Sequence, residues 1–233
     1  MKVNSLSVHS EKLRKSDLKR CRDVNSFKPI PESHFNDICK LGRCKYRAIV
    51  VSTIMSLLWD GWKPKKGSKR IPNNKVMLTR RMLCQYFGIS ESTAGQAISD
   101  LVRYEIITVA TKSVFSGIQG KNLGASYRLP WMEDRKGKKI YIYWGLLVST
   151  VFLELSVTLQ AVIILLHCLH SRRKNRLTIQ PYALVEYGIH RNRLTEYIDQ
   201  LRCAGLLEYV ENHDYKFTWF DRDGYPNFNR LKI

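Results

Sequence analysis

The chain has 233 residues, with 39 Lys and Arg against 20 Asp and Glu, a formal net charge of +19. Such a length allows one large core or two small cores of about a hundred residues each, and the charge predicts a polyanionic partner, namely DNA, RNA or an acidic surface. The six cysteines form no C-x-x-C pair, which argues against a structural zinc site. We therefore expect a reduced, intracellular protein without a metal or cofactor.

A segment of the first half returns one hundred positions later. Residues 87–107 and 187–207 share a Gly-Ile pair, at Gly88 and Gly188, followed by apolar residues at helical spacing and then a β-rich run. This order of short helix, turn, second helix and strands is typical of a winged helix-turn-helix. The sequence therefore predicts a helix-rich α+β fold made of two tandem winged helix-turn-helix domains.

The first half follows in chain order. A flexible basic arm, 1–30, precedes the first domain, 31–132. The predicted elements of this domain are helix 1 at 48–59, a lysine-rich loop at 63–75, helix 2 at 79–87, helix 3 at 90–104, and wing strands at 106–115 and 125–129. Ser90 is the predicted N-cap of helix 3. A glycine-containing loop with Lys121 separates the two wing strands.

A polar linker, 133–139, separates this domain from the second, 140–220, and a loose polar tail, 221–233, follows. The predicted elements of the second domain are a strand at 140–144, helix 1 at 158–170, a basic loop at 172–176, helix 2 at 181–187, helix 3 at 190–204, and hairpin strands at 206–210 and 215–219. The turn of this hairpin is predicted at Asn212, His213 and Asp214.

The apolar stretch 146–169 is long enough to cross a bilayer. Polar residues interrupt it, and Ser156 or Thr158 has the character of a helix N-cap. We therefore expect an extended piece followed by a helix, and no membrane partner.

The candidate DNA contacts follow from the helix-turn-helix, in which the start of the second helix faces base edges. The second domain offers charged and amide groups for reading bases: His190, Arg191, Asn192, Arg193 and Glu196. The first offers uncharged hydrogen-bonding groups: Ser90, Ser92, Thr93 and Gln96. Alternatively, helix 3 of the first domain is a packing or dimer surface. Cations for phosphate contact are expected at Arg80, Arg81, Lys65, Lys66, Lys69, Lys121, Arg172, Arg173 and Lys174.

Catalytic motifs are absent from the sequence. It contains no P-loop, no nucleophile elbow, no H-E-x-x-H and no acidic cluster of the kind that holds magnesium. We therefore expect a protein that is not an enzyme.

The second half carries a pattern from Leu147-Val148-Ser149 through Phe152-Leu153-Glu154-Leu155-Ser156 to Gly188-Ile189 and Gly205-Leu206-Leu207. It resembles winged-helix proteins of plasmids, phages and integrative elements, and the two-unit plan is similar to that of iteron-plasmid replication initiators. The resemblance implies sequence-specific binding of double-stranded DNA, with one unit on each half of the site, and a role in replication in the bacterial cytoplasm or nucleoid. One alternative is a transcriptional regulator that binds a palindromic operator as a homodimer. Another is a non-catalytic scaffold in a nucleoprotein assembly.

Overall fold

The computed structural model describes residues 26–59, 75–111, 114–116, 121–123, 125–132, 137–171, 175–221 and 224–231. It is a mixed α+β fold with small antiparallel sheets. The helices are α1 Glu32–Cys39, α2 Lys45–Leu58, α3 Arg80–Phe87, α4 Glu91–Arg103, α5 Trp144–Leu147, α6 Thr150–Glu154, α7 Val157–Leu166 and α8 Arg191–Cys203. The strands are β1 Phe27–Pro31, β2 Lys75–Leu78, β3 Thr108–Thr111, β4 Val114–Ser116, β5 Lys121–Leu123, β6 Ala125–Arg128, β7 Lys139–Tyr143, β8 His170–Ser171, β9 Arg176–Thr178, β10 Leu207–Glu211 and β11 Asp214–Phe217.

The two halves build their sheets in the same order. In the first half, β6 lies between β2 and β3, and in the second half β11 lies between β9 and β10. The central strand in each case is the last one of its half, and it pairs antiparallel with both neighbours. Strands β2, β8 and β9 are not among the predicted elements, because they are too short to show an alternating pattern. The second hairpin turns at Asn212 and His213, both with positive φ, as predicted.

Local capping confirms the predicted starts of three helices, although α7, expected to reach residue 170, ends at Leu166. The Thr79 hydroxyl accepts a hydrogen bond from the backbone N–H of Met82, and α3 then ends at Gly88, whose φ of 65° is the left-handed conformation that glycine adopts readily. Ser90 caps α4 by accepting from the N–H of Thr93, and Ser156 caps α7 in the same way. These side chains satisfy N–H groups that lack partners within the helix.

Two predictions at the start of the halves are wrong. The arm was expected to reach residue 30, but Phe27–Pro31 is strand β1, paired antiparallel with β7. Residues before Ser156 were expected to be extended, but they form the short helices α5 and α6, the second of which is capped by Ser149. Both elements depend on tertiary contacts that a local sequence pattern does not show. Strand β1 is fixed by a partner strand more than a hundred residues away, and α5 and α6 are fixed by burial against the core.

Three later predictions also need correction. Helix 2 of the second half, expected at 181–187, is a succession of turns whose N–H groups bond three residues back, for example Val185 to Tyr182. The loop expected around Lys121 is partly strand β5, paired with β4. The tail is not loose over residues 224–231, because Phe228 is buried beside Tyr143.

Helices α2 and α7 pack against each other at the centre of the molecule. Both are buried almost all round, including polar positions such as Ser52 in α2 and Gln160 in α7. The buried apolar side chains of the two halves form one continuous cluster. Within the described residues, no helix has the length and apolar character needed to cross a membrane. The two-domain division at 133–139 stays a prediction.

Lys45 ties the start of α2 to the second half. Its Nζ donates to the carbonyl oxygens of Tyr187, at 2.9 Å, and Gly188, at 2.6 Å. Lys45 is only 7% exposed, and burial lowers the pKa of its ammonium group. This ammonium group is buried without large cost because the two carbonyl oxygens replace the water molecules that would otherwise solvate it.

Two histidines are buried in the core and held neutral. His34 stacks on Trp131 with ring centroids 3.7 Å apart and shares a hydrogen bond with the Ser52 hydroxyl. His167 donates its Nδ1 proton to the carbonyl of Ile163 and stacks on Phe217. Burial lowers the pKa of each to about 3.

We predict acid sensitivity from these two histidines. Their pKa is lower in the folded state than in the unfolded chain, so the unfolded chain binds protons first as the pH falls. The free energy of unfolding is therefore highest above pH 6.5 and decreases as the pH falls from 6.5 toward 3. Below pH 6 the free energy of unfolding should fall by about 1.4 kcal/mol per pH unit for each histidine. Urea unfolding at pH 7, 6 and 5 measures this. His34→Gln should flatten the slope and the exposed His213→Asn should not; equal stability at pH 7 and 5 would contradict the assignment.

Lys45→Met should destabilise the protein by about 2 kcal/mol or more, because two carbonyls lose a charged donor while the apolar stem is kept. The matched control is Lys40→Met, because Lys40 pairs with Asp37 in solvent and should contribute less than about 0.5 kcal/mol. Denaturant midpoints compare the two variants. Equal effects would show that Lys45 does not hold the halves together.

Candidate nucleic-acid interface

The first half presents α4 directly after a tight turn. Ser90 and Gln96, both predicted contacts, are exposed, as is Ser92, whereas Thr93 is half-buried. The Ser90 hydroxyl bonds Thr93 Oγ1 at 2.9 Å as well as capping the helix. Ser90 and Thr93 are therefore engaged within α4, and Ser92 and Gln96 are the predicted contacts that face solvent.

Arg47 is a cation at this surface that sequence reasoning missed. It lies on α2, and its Nη1 donates to Gln96 Oε1 at 2.6 Å, while Nη2 pairs with Asp100 Oδ2 at 2.7 Å. The guanidinium thus neutralises Asp100, one of the two carboxylates of α4, and leaves the Gln96 amide N–H₂ to donate. No local pattern indicates this contact, because the residues are about fifty positions apart.

Arg80 and Arg81, two predicted phosphate contacts at the start of α3, are both exposed. The Arg80 side chain crosses α4 at Gly95, where a Cβ would lie 3.0 Å from its Nε. Burial raises the pKa of Tyr127 on β6, and the positive charge of Arg80 acts in the opposite direction. Gly95 therefore makes room for a cation between α4 and the sheet.

The second half exposes all five predicted reading residues at the start of α8: His190, Arg191, Asn192, Arg193 and Glu196. Arg193 Nη1 pairs with Glu196 Oε2 at 3.0 Å, so part of its charge is offset. Arg191 Nη1 donates to the Tyr182 hydroxyl at 3.1 Å. Within the described residues the guanidinium of Arg191 has no carboxylate partner, which makes it the cation of α8 most available to an anionic ligand.

Tyr182 is 63% exposed and lies in the turns that replace the expected helix 2. On the neighbouring hairpin, Tyr209 and Val210 are about half exposed, and Arg202 of α8 lies over the Tyr209 ring at 5.9 Å. Neither aromatic residue was among the predicted contacts. Tyr182 and Tyr209 are candidate contacts because they are exposed beside arginines. The fold shows this exposure, and the sequence alone does not.

Seven of the predicted contacts have no described side chain. Lys65, Lys66, Lys69, Arg172, Arg173 and Lys174 lie outside the described residues, and for Lys121 the backbone alone is described, in β5. Within the described part of the chain, no group of three or more His, Cys, Asp or Glu side chains is arranged to hold a metal ion.

Comparison with known proteins returned no relative. No protein family, no curated protein and no solved structure matches the chain. The proposed function therefore rests on the geometry of α4, α8 and the residues around them.

Proposed function

We propose that the protein binds double-stranded DNA sequence-specifically, and that each half is a winged helix-turn-helix unit. The observation that supports this is the repeated order of elements: a buried helix, a short strand, a turn ending at a left-handed glycine, an exposed helix and an antiparallel hairpin. In helix-turn-helix proteins, a helix presented in this way enters the major groove with its first residues on base edges.

Helix α8 is the main reader in this proposal. Arginine pairs bidentately with guanine and asparagine with adenine, and each pairing discriminates by about 1 to 3 kcal/mol. Arg191 and Asn192 are exposed at the first turn, and the exposed Arg193 exchanges its bond to Glu196 for a base. Tyr182, bonded to Arg191, positions this guanidinium at the groove.

Helix α4 makes a different contribution. Its exposed face has Ser92 and Gln96 but no arginine or lysine before Arg103, so it supplies hydrogen bonds rather than charge. Arg47 and Arg80, which lie against it, supply the nearby cations. The lysine-rich loop at 63–75 adds phosphate contacts whose strength falls with salt.

Initiation of replication of a plasmid, phage or other mobile element is the cellular role that we propose, because the size, the basic charge and the two-unit plan of the chain are similar to those of iteron-plasmid replication initiators. The protein acts without catalysis, by holding origin DNA for other replication proteins. In a regulator, by contrast, the same helices would occupy an operator.

Selection from a random duplex library at physiological salt tests the proposal. The full-length protein should enrich one bipartite motif, because each helix reads one part of it. Several directly repeated copies of this motif in native DNA would fit an origin, and a single copy at a promoter would fit a regulator. Failure to enrich any motif would overturn sequence-specific binding and favour a scaffold.

The selected site then allows a residue-level prediction. Arg191→Ala with Arg193→Ala should relax base preference in the half-site read by α8, with a loss of about tenfold or more on the selected sequence. The control replaces Lys65, Lys66 and Lys69 with Ala, which should weaken binding to all sequences alike and reduce the salt dependence. Fluorescence anisotropy on selected and scrambled duplexes measures both. Unchanged preference in the arginine variant would show that α8 is not the reader.

A further inference from the structure

The guanidinium of Arg47 is anchored between α2 and α4 by contacts on all three of its nitrogens. Nε and Nη2 both contact Asp100 Oδ2, at 2.9 and 2.7 Å, and Nη1 donates to Gln96 Oε1 at 2.6 Å. Nη2 also donates to the Sγ of Cys44, just before α2, at 3.2 Å. The side chains of Arg47 and Asp100 are only 28% and 16% exposed. The guanidinium is therefore fixed in place against α4.

The contact with Arg47 determines which way the Gln96 amide faces. A glutamine amide has an oxygen that accepts and an N–H₂ group that donates, and either group can face a ligand. An arginine guanidinium has only donors, so the Gln96 atom that faces Nη1 is the oxygen. Nε2 lies on the other side of the amide, away from the guanidinium. Because Gln96 is exposed, the group that it offers to a ligand of α4 is a donor.

Adenine and guanine make different demands on such a side chain. Adenine presents an acceptor, N7, and a donor, N6–H₂, so a glutamine that reads it turns both Oε1 and Nε2 toward the base. Guanine presents two acceptors, N7 and O6. In this protein Oε1 is engaged by Arg47, and the positive charge beside it repels the N6–H₂ donor of adenine. The N–H₂ group of Gln96 meets no such conflict at guanine.

The equivalent position in the second half is arranged differently. Glu196 lies one hundred positions after Gln96 and pairs with Arg193 of its own helix, and both side chains are exposed. Arg193 therefore moves with α8 and is able to exchange Glu196 for a base. Arg47 belongs to a different helix from Gln96 and is held there by Asp100, so it stays beside the amide when α4 meets its ligand.

We infer that Arg47 is a positioning residue for base recognition. It holds the Gln96 amide in the orientation that donates, and α4 thereby selects guanine over adenine at the base pair that Gln96 contacts. The inference rests on the proposed function and adds to it the base that one side chain reads. The same guanidinium neutralises Asp100, whose negative charge would otherwise repel the DNA phosphates.

The first test compares site selection by the wild-type protein and by Gln96→Ala. Gln96 is exposed, so its truncation should leave the fold intact and remove base preference at one position of the motif. At that position the wild-type protein should prefer guanine over adenine. A wild-type preference for adenine there would overturn the inference, as would a motif that Gln96→Ala leaves unchanged.

The second test removes Arg47 with its partner charge, by Arg47→Met combined with Asp100→Asn, so that the net charge is kept. Once Arg47 is gone, the Gln96 amide is free to turn its oxygen toward the base. The dissociation constant for the adenine duplex divided by that for the guanine duplex should then fall by about tenfold. Fluorescence anisotropy on two duplexes that differ at this base pair measures the ratio. A loss of folded protein affects both duplexes equally and leaves the ratio unchanged.

Two controls accompany this variant. Asp100→Asn alone keeps the contact between Arg47 and Gln96, so it should keep the guanine preference. Arg81→Met, at an exposed predicted phosphate contact of α3, should weaken binding to both duplexes alike. An unchanged ratio in the Arg47→Met variant would show that Gln96 is oriented without Arg47 and would overturn the inference. If this variant does not fold, the base that the wild-type protein prefers decides the matter.

Failure of the inference is distinguishable from failure of the proposed function. If the wild-type protein enriches no motif, sequence-specific binding fails and the inference fails with it. If a motif is enriched but the position that depends on Gln96 does not favour guanine over adenine, the proposed function stands and only the inference fails.

Discussion

The packing of α2 against α7 constrains everything else in this molecule. A helix that is apolar on one stripe lies at a surface, whereas a helix buried all round must be enclosed by neighbours. Helix α2 is enclosed by α4 from its own half and by α7 from the other half. The apolar stretch 146–169 has the same explanation, because α7 lies between α2 and α8. Separating the halves would expose both helices to water, so the positions of α4 and α8 are fixed relative to each other.

Short-range chemistry made much of the fold predictable. The N-caps Ser90 and Ser156, the left-handed Gly88 and the hairpin turn at Asn212 are signals within four residues, and the repeat over one hundred positions located both exposed helices. The pairing of β1 with β7 was not predictable, because an edge formed by Phe27–Pro31 depends on a strand far along the chain. The turns at 181–188 have helical spacing in the sequence, but tertiary contacts, including Lys45 on the carbonyls of Tyr187 and Gly188, hold them in another conformation.

The candidate interface was likewise predictable from the sequence only in part. Arg191, Asn192 and Arg193 are exposed where the repeat predicted them. Arg47 was missed because it reaches α4 from another helix, and Tyr182 because its exposure depends on the turns that replace helix 2. The two helices that we propose as readers consequently differ in electrostatics: α8 has arginines in its first turn, whereas α4 has none before Arg103 and relies on arginines from α2 and α3. In the proposed DNA complex, Arg191 and Asn192 pair bidentately with base edges, whereas the Oε1 of Gln96 on α4 already accepts a hydrogen bond from Arg47, so we assign most of the specificity to α8.

The central claim is that one chain fills a complete bipartite site, because each half supplies one exposed helix. The stoichiometry of the complex tests this most directly. Native mass spectrometry or sedimentation velocity, with the full-length protein in excess over a duplex carrying the selected site, should give one chain per duplex. Two chains on one duplex, one for each half-site, would contradict the account.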